Sequence, residues 1–310
     1  MPQSYLSIDV GGTNIKFGIL DRAGHIMEHH KTETPNICLD EFSAEINRII
    51  DKYQNRVRGI AFSVPGKVDT SIGIVYHGGS LPFLDGLNFK KRFATKNELP
   101  IAVENDGKSA ALAELWLGNL KQVNSGVAVV LGTGVGGGIV LNGKLLYGEH
   151  LQAGELSLMI NNSDQEDLSR SLSGFNLSSV AMIRQAGQKL GLGDPQDGRA
   201  VFDYINRHDA LVWPIFKGYT QRLARLLITL QGVLDVDRFV IGGGISAQSI
   251  VTQSVNNELQ ILLDSNPLLA AYLNNFDVKQ AHFANDANLY GALYSFLLQI
   301  DEERLSHKTI

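Results

Sequence analysis

Leu6-Ser7-Ile8-Asp9-Val10-Gly11-Gly12-Thr13-Asn14-Ile15-Lys16-Phe17-Gly18-Ile19-Leu20 is the stretch on which the fold turns. Leu6, Ile8 and Val10 alternate as one face of a strand, and Ile15, Phe17 and Ile19 do the same after a break. Between them, Gly11-Gly12-Thr13-Asn14 is rich in residues that tolerate positive φ, so the spacing predicts a tight β-hairpin. Glycines there let backbone N–H groups approach a phosphate, Thr13 adds a hydroxyl donor, and Asp9 ends the first strand where a carboxylate could hold a hydrated Mg²⁺. A dinucleotide fold would instead open a helix after its glycines. Taken alone, the stretch also reads as an ordinary hairpin turn.

A second copy follows. Val127-Ala-Val-Val-Leu-Gly-Thr-Gly-Val-Gly-Gly-Gly-Ile-Val-Leu141 is again an apolar strand, a Gly/Thr turn and an apolar strand, and Asn142-Gly143 then turns the chain into residues 144–147. Two such hairpins predict two similar domains closing on one nucleotide. With both motifs in view, the chain resembles the ROK sugar kinases of the sugar kinase and actin-like ATPase superfamily, and the resemblance runs over nearly the whole length. It implies an α/β protein with the two-domain ribonuclease H-like (actin-like ATPase) fold and an active site in the interdomain cleft. The candidate ATP and phosphate ligands are then Asp9 (to Mg²⁺ through water), Gly11, Gly12, Thr13, Asn14, Lys16, Gly132, Thr133 and Gly134.

Composition sets outer limits. At 310 residues and 44% hydrophobic, the chain can bury one large core or two ordinary ones. A formal charge of −5 without a basic run speaks against a nucleic-acid partner, and the early first strand against a leading helix-turn-helix domain or signal peptide. No apolar run reaches spanning length, so no membrane role is expected. Cys38 is the sole cysteine, which excludes an intrachain disulfide and suits a cytoplasmic protein.

Along the chain, apolar periodicity predicts a third strand at 25–32, an amphipathic helix at 39–54 and a buried strand at 59–64 ending at Pro65-Gly66. Residues 77–87 read as a loop, 89–97 as a short helix, 101–103 as a strand and 107–117 as a helix. An irregular polar stretch spans 148–175. Helices are expected at 176–190, 198–207, 209–234, 247–263 and 286–300, with strands at 237–241 and 278–283. The domain crossing is placed near 105–107, giving domains 1–106 and 107–285. The last helix, within 286–310, is expected to return to the first domain, as in the resembled family.

Phosphoryl transfer to a sugar hydroxyl needs a carboxylate to take the hydroxyl proton, a cation on the phosphates and donors that fix geometry. Glu104-Asn105-Asp106 lies between a strand and a helix at the expected crossing. The family pattern Asn-Asp-Ala-Asn-Ala-Ala-Ala-Leu-X-Glu appears as Asn105-Asp-Gly-Lys-Ser-Ala-Ala-Leu-Ala-Glu114, so the resemblance implies Asp106 as general base and Asn105 as a sugar ligand. Helix capping is the plain alternative for Asp106. Lys108 departs from the family's usual Asn and is expected to pair locally or to change the charge of the site. Asn285-Asp286-Ala287-Asn288 matches the pattern more literally, yet its position before the last helix reads as capping.

Residues 148–158 align with the family's sugar loop ending Ala-Gly-Glu-X-Gly-His. Glu155 matches its sugar-binding glutamate, His150 stands where the family often has Asn, and Ser157-Leu158 replace the final Gly-His. A single exposed Glu or His is otherwise a surface residue. Most members add three cysteines downstream for a structural zinc; Cys38 cannot supply them, so no zinc site is expected. Glu166 is a further, loosely placed candidate. Gly242-Gly243-Gly244 matches the adenosine loop, with Gly243 and Gly244 as ligands, though a run of glycines also serves a strand-to-helix turn. Gly66 and Asp69 match a segment near the sugar, where turn chemistry is equally sufficient.

The expected activity is transfer of the γ-phosphoryl group of Mg·ATP to a hexose hydroxyl at C6, in a homodimer whose partners are sugar and ATP. Absence of the zinc elements resembles the branch that includes β-glucoside kinases. The alternatives are a sugar- or nucleotide-sensing regulator without a DNA-binding domain and an ATP-binding relative without sugar activity.

Overall fold

Alternation along the first strands decides which side chains reach which side of the sheet. The computed structural model describes residues 3–161, 167–273 and 276–306. The chain divides into two units: residues 1–117, 147–153 and 286–310 form the first, and 118–146 with 154–285 the second.

In unit 1, β1 (Ser4–Val10), β2 (Asn14–Asp21) and β3 (Ile26–Glu33) form an antiparallel meander. After α1 (Leu39–Tyr53), β4 (Ile60–Val64) joins β1 in parallel. A small hairpin, β5 (Lys67–Asp69) with β6 (Ile74–Tyr76), and the short helix α2 (Phe89–Arg92) precede β7 (Ile101–Asn105), which pairs parallel to β4. The sheet order is β3-β2-β1-β4-β7. Leu6, Ile8, Val10, Ile60, Phe62 and Val64 point to one face, where Phe42, Ile46, Ile49 and Ile50 of α1 cover them. Helix α3 (Asp106–Trp116) follows β7 without a loop.

Unit 2 repeats the plan. β8 (Gly126–Leu131), β9 (Val135–Leu141) and β10 (Lys144–Leu145) are antiparallel. Then come two single-turn helices, α4 (Leu168–Ser171) and α5 (Ser173–Asn176), and three longer ones, α6 (Ser179–Leu190), α7 (Gly198–Ile205) and α8 (Trp213–Leu234). β11 (Arg238–Gly243) pairs parallel to β8, and after α9 (Ser249–Ser265) and α10 (Pro267–Tyr272), β12 (Asp277–Gln280) pairs parallel to β11. The order β10-β9-β8-β11-β12 reproduces that of unit 1 strand for strand. Val127, Val129, Leu131, Phe239 and Ile241 pack with Phe216, Tyr219, Leu223 and Leu227 of α8.

The last helix, α11 (Ala287–Ser306), belongs to unit 1. Its Ala292, Leu293, Phe296 and Leu297 form a third core with Tyr5, Leu20, Ala61 and Ala102, the residues on the face that α1 leaves bare. Among the described residues no helix is long and apolar enough to cross a membrane.

Several elements differ from their sequence-based bounds. The helix expected at 89–97 ends at Arg92, and the Thr95 hydroxyl oxygen accepts from the Leu99 N–H beyond it. The helix expected from 209 begins at Trp213, with Pro214 in its first turn, where a missing N–H costs nothing. The division into units falls after Leu117 and not at 105–107, because α3 packs against α11 and stays with the first unit.

Candidate functional site

The turn between β1 and β2 is closed by the Gly11 N–H donating to Asn14 O at 3.0 Å, and the Thr34 hydroxyl and N–H donate to Gly11 O and Thr13 O. A Cβ on Gly12 would lie 2.9 Å from Ser80 Oγ, so the turn has no room for a larger residue without movement. Thr13 is exposed. Asp9, opposite Lys16 in register, is only 6% exposed. Its Oδ1 accepts from Asn288 Nδ2 at 2.9 Å and Ser63 Oγ at 3.1 Å, while Lys16 Nζ lies 3.7 Å from Oδ2. Burial pushes the Asp9 carboxyl up, and Asn288, Lys16 and Ser63 pull against that.

One fixed carboxylate suits Mg²⁺, which keeps most of its waters and takes its other ligands from phosphates. The described residues hold no cluster of three metal-ligating side chains that would form a protein cage.

The corresponding turn of unit 2 is closed by Gly132 N–H to Gly134 O at 3.0 Å. Gly132 O in turn accepts from both the N–H and the hydroxyl of Ser179, at the start of α6. Thr133 is exposed, and nothing lies within 4 Å of where a Gly132 Cβ would be. Gly243 pairs with Leu131, which sets the glycine run beside this turn. Its φ of +91° and a Cβ position 2.1 Å from Leu131 O make Gly obligatory there, whereas Gly244 is exposed beside open space.

The parallel register Val64↔Asn105 carries Pro65-Gly66 to the side of Asn105. Asn105 Nδ2 donates to Gly66 O at 2.8 Å and to Asp106 Oδ1 at 2.9 Å, and Asn105 Oδ1 accepts the Lys108 N–H as the N-cap of α3. Capping therefore falls to Asn105, while Asp106 is the first helical residue, half-buried, with its Oδ1 also accepting from Gly107 N–H at 2.8 Å. Gly66, Asn105 and Asp106 form one group. Asp69 instead serves its own turn, accepting from the Ser71 N–H and hydroxyl.

His150 and Glu155 are both exposed, but they belong to different units. Ser157 Oγ donates to Val135 O at 2.9 Å and accepts from Val135 N–H, binding the Glu155 loop to the strand after the phosphate turn. Leu158 is 60% exposed. Glu166 lies outside the described residues. Lys108 points inward at 7% exposure, and its Nζ donates to Leu151 O at 3.4 Å.

Sequence reasoning missed two partners of these groups. Asn288, assigned only to a capping stretch, holds Asp9; Asp286 of the same stretch lies 3.3 Å from His29 Nε2. Glu104, 1% exposed, accepts from Asn105 N–H, Tyr147 OH and Ser295 Oγ. An acidic residue inside an otherwise apolar strand, Ile101-Ala-Val-Glu104, was the one local sign of it.

Comparison with known proteins covers the whole of this architecture. A sequence model of the ROK family matches residues 5–298. The β-glucoside kinase of Listeria monocytogenes is 28% identical over 294 residues, covering 94% of this chain and 96% of its own. The glucokinase of Halalkalibacterium halodurans is 28% identical over 268 residues, 78% of this chain and 80% of its own. Among solved structures, that of a ROK family protein from Streptococcus pneumoniae in complex with sucrose superposes with a TM-score of 0.85 at 28% identity. It covers 97% of this chain and 100% of that one. The duplicated sheet is accordingly the ribonuclease H-like, actin-like ATPase fold.

Proposed function

Because the chain belongs to the ROK family, we propose that it is an ATP-dependent sugar kinase that transfers the γ-phosphoryl group to the C6 hydroxyl of a hexose or hexose derivative. The observation that carries this reading is the Asn105-Asp106 junction. Asn105 takes the capping duty and the Gly66 carbonyl, so Asp106 is not consumed as a cap. Its Oδ1 is fixed by two donors, which aims the carboxylate.

In this reading Asp106 accepts the proton of the sugar hydroxyl as the hydroxyl oxygen attacks the γ-phosphorus and the bond to the β-phosphate oxygen breaks. Asn105, Glu155 and His150 are the side chains assigned to orient the sugar. Gly11 and Gly132, whose N–H groups close the two turns, shape them around the phosphates; the backbone at Gly12 and Gly134, with the Thr13 and Thr133 hydroxyls, Asn14 and Lys16, takes the phosphates, and Gly243 and Gly244 admit the adenosine. Bound Mg²⁺ supplies positive charge to the phosphate oxygens, and Asp9, locked by Asn288 and Ser63, is the carboxylate that would hold its water shell. The likeness to a β-glucoside kinase over 94% of the chain supports testing β-glucosides first among acceptors.

ADP release with Mg·ATP against hexoses, N-acetylhexosamines and β-glucosides tests this. Wild type is expected to turn over one class, and Asp106→Asn to lose about 10²–10⁴-fold in kcat with the sugar still bound. ATP binding without sugar-dependent ADP release would overturn the kinase reading in favour of a sensing protein.

A further inference from the structure

Residues 147–153 leave β10 of unit 2 in sequence, yet their contacts place them in unit 1. The segment closes on itself, with Ala153 N–H donating to Tyr147 O at 3.1 Å and Leu151 N–H to Gly148 O at 3.1 Å. Two polar links to buried partners hold it. Tyr147 OH donates to Glu104 Oε2 at 2.6 Å, and Lys108 Nζ donates to Leu151 O at 3.4 Å.

Glu104 and Lys108 are almost fully buried, and both flank the Asn105-Asp106 pair. Glu104 Oε1 takes the Asn105 N–H at 2.9 Å, and its Oε2 also accepts from Ser295 Oγ of α11 at 3.1 Å. One carboxylate thus gathers the 147–153 segment, the last helix and the backbone that carries Asn105. A buried carboxylate and a buried ammonium are costly to desolvate, and plain packing of a strand on two helices needs neither. Burial raises the Glu104 carboxyl, and the donors Tyr147, Asn105 and Ser295 with the nearby Lys108 offset part of that rise.

We propose that Tyr147 and Lys108 are positioning residues that fix the 147–153 segment, with His150 on it, against Asn105-Asp106, and so set which sugar derivatives are accepted. This rests on the kinase reading for its substrate and on the hydrogen bonds alone for the tether. Neither side chain needs to touch the sugar. Each acts through the segment it holds, and the phosphate turns are built from other elements. Loosening the tether therefore weakens sugar binding selectively.

The test uses the full chain with Tyr147→Phe and, separately, Lys108→Met. Amide hydrogen exchange without ligand is expected to quicken about tenfold in 147–153 in each variant, the size of effect that loss of one hydrogen bond to a charged group produces. Sugar KM is expected to rise about tenfold with ATP KM within about twofold. The preference among β-glucosides of different aglycone should flatten. Unchanged exchange overturns the tether. Equal shifts in sugar and ATP KM overturn selective positioning and indicate general loosening. Should Lys108→Met fail to fold, Tyr147→Phe, which removes only a hydroxyl, decides alone. A wild type that turns over no sugar refutes the kinase reading and the specificity claim with it, while the tether still stands or falls on exchange.

Discussion

Glu104 shows what a single buried carboxyl does to the energetics of this chain. Its carboxyl is raised from the ordinary 4.5 by burial, so the folded protein holds that proton more tightly than the unfolded chain does. The stabilising effect of protonation is complete below 4.5 and is lost as pH climbs through the folded value. Glu104→Gln removes the titration, whereas Asp9, also raised, contributes alike to both proteins and cancels. Urea midpoints measured from pH 4.5 to 8 should therefore show wild type losing stability relative to Glu104→Gln as pH rises; parallel curves would contradict this. The sequence exposed Asp9 and Asp106 because each sits at the end of a recognisable strand. It hid Asn288, whose partner is 279 residues away and whose local pattern is complete as a helix start. Lys108 was visible only as a departure from a pattern; its inward course depends on Leu151, which no local rule connects to it.

At the scale of elements, α3 and α11 approach backbone to backbone. A Cβ on Gly291 would fall 1.7 Å from Ser109 O, an overlap that only displacement of a helix could relieve. Gly291→Ala should cost about 1–3 kcal/mol or more by overpacking, against a helix-propensity gain of about 1 kcal/mol. Gly232 near the end of α8 has nothing within 4 Å of its Cβ position, so Gly232→Ala should instead stabilise by about 0.5–1 kcal/mol. Opposite signs in urea denaturation check the pair, and a stabilising Gly291→Ala would refute the close approach. Elements with clean periodicity were legible: α1 ends at Tyr53, one residue from its expected bound, because Phe42, Ile46, Ile49 and Ile50 mark its buried face. The hairpin of β5 and β6 was not legible as strands. Lys67-Val-Asp69 carries turn residues and a single buried Val68, too little alternation to register.

For the whole molecule, the duplication was written into the two Gly/Thr hairpins, and each proved to be the centre of a five-stranded sheet of the same order. The assignment of residues 147–153 to the first unit was not written anywhere locally, since it follows from Tyr147 on Glu104 and Leu151 on Lys108. Unit 1 is assembled from three separate stretches, and its third core requires α11. A chain ending after Asn285 should accordingly lose amide protection in β1 and β4 while β8 and β11 stay protected. Retained protection in β1 would show that the sheet folds without its last helix.

That dependence has a timetable on the ribosome. The first sheet has all five strands by Asn105, but Tyr5, Leu20, Ala61 and Ala102 wait for Leu293 and Phe296 to be synthesised. At about 5–20 residues per second, the intervening stretch of about 190 residues keeps that apolar face uncovered for about ten to forty seconds. Unit 2, whose own segments all lie before residue 286, is complete first. The nascent chain thus emerges with its beginning unfinished, and the face of β1 and β4 is the apolar surface left open until translation reaches the last helix.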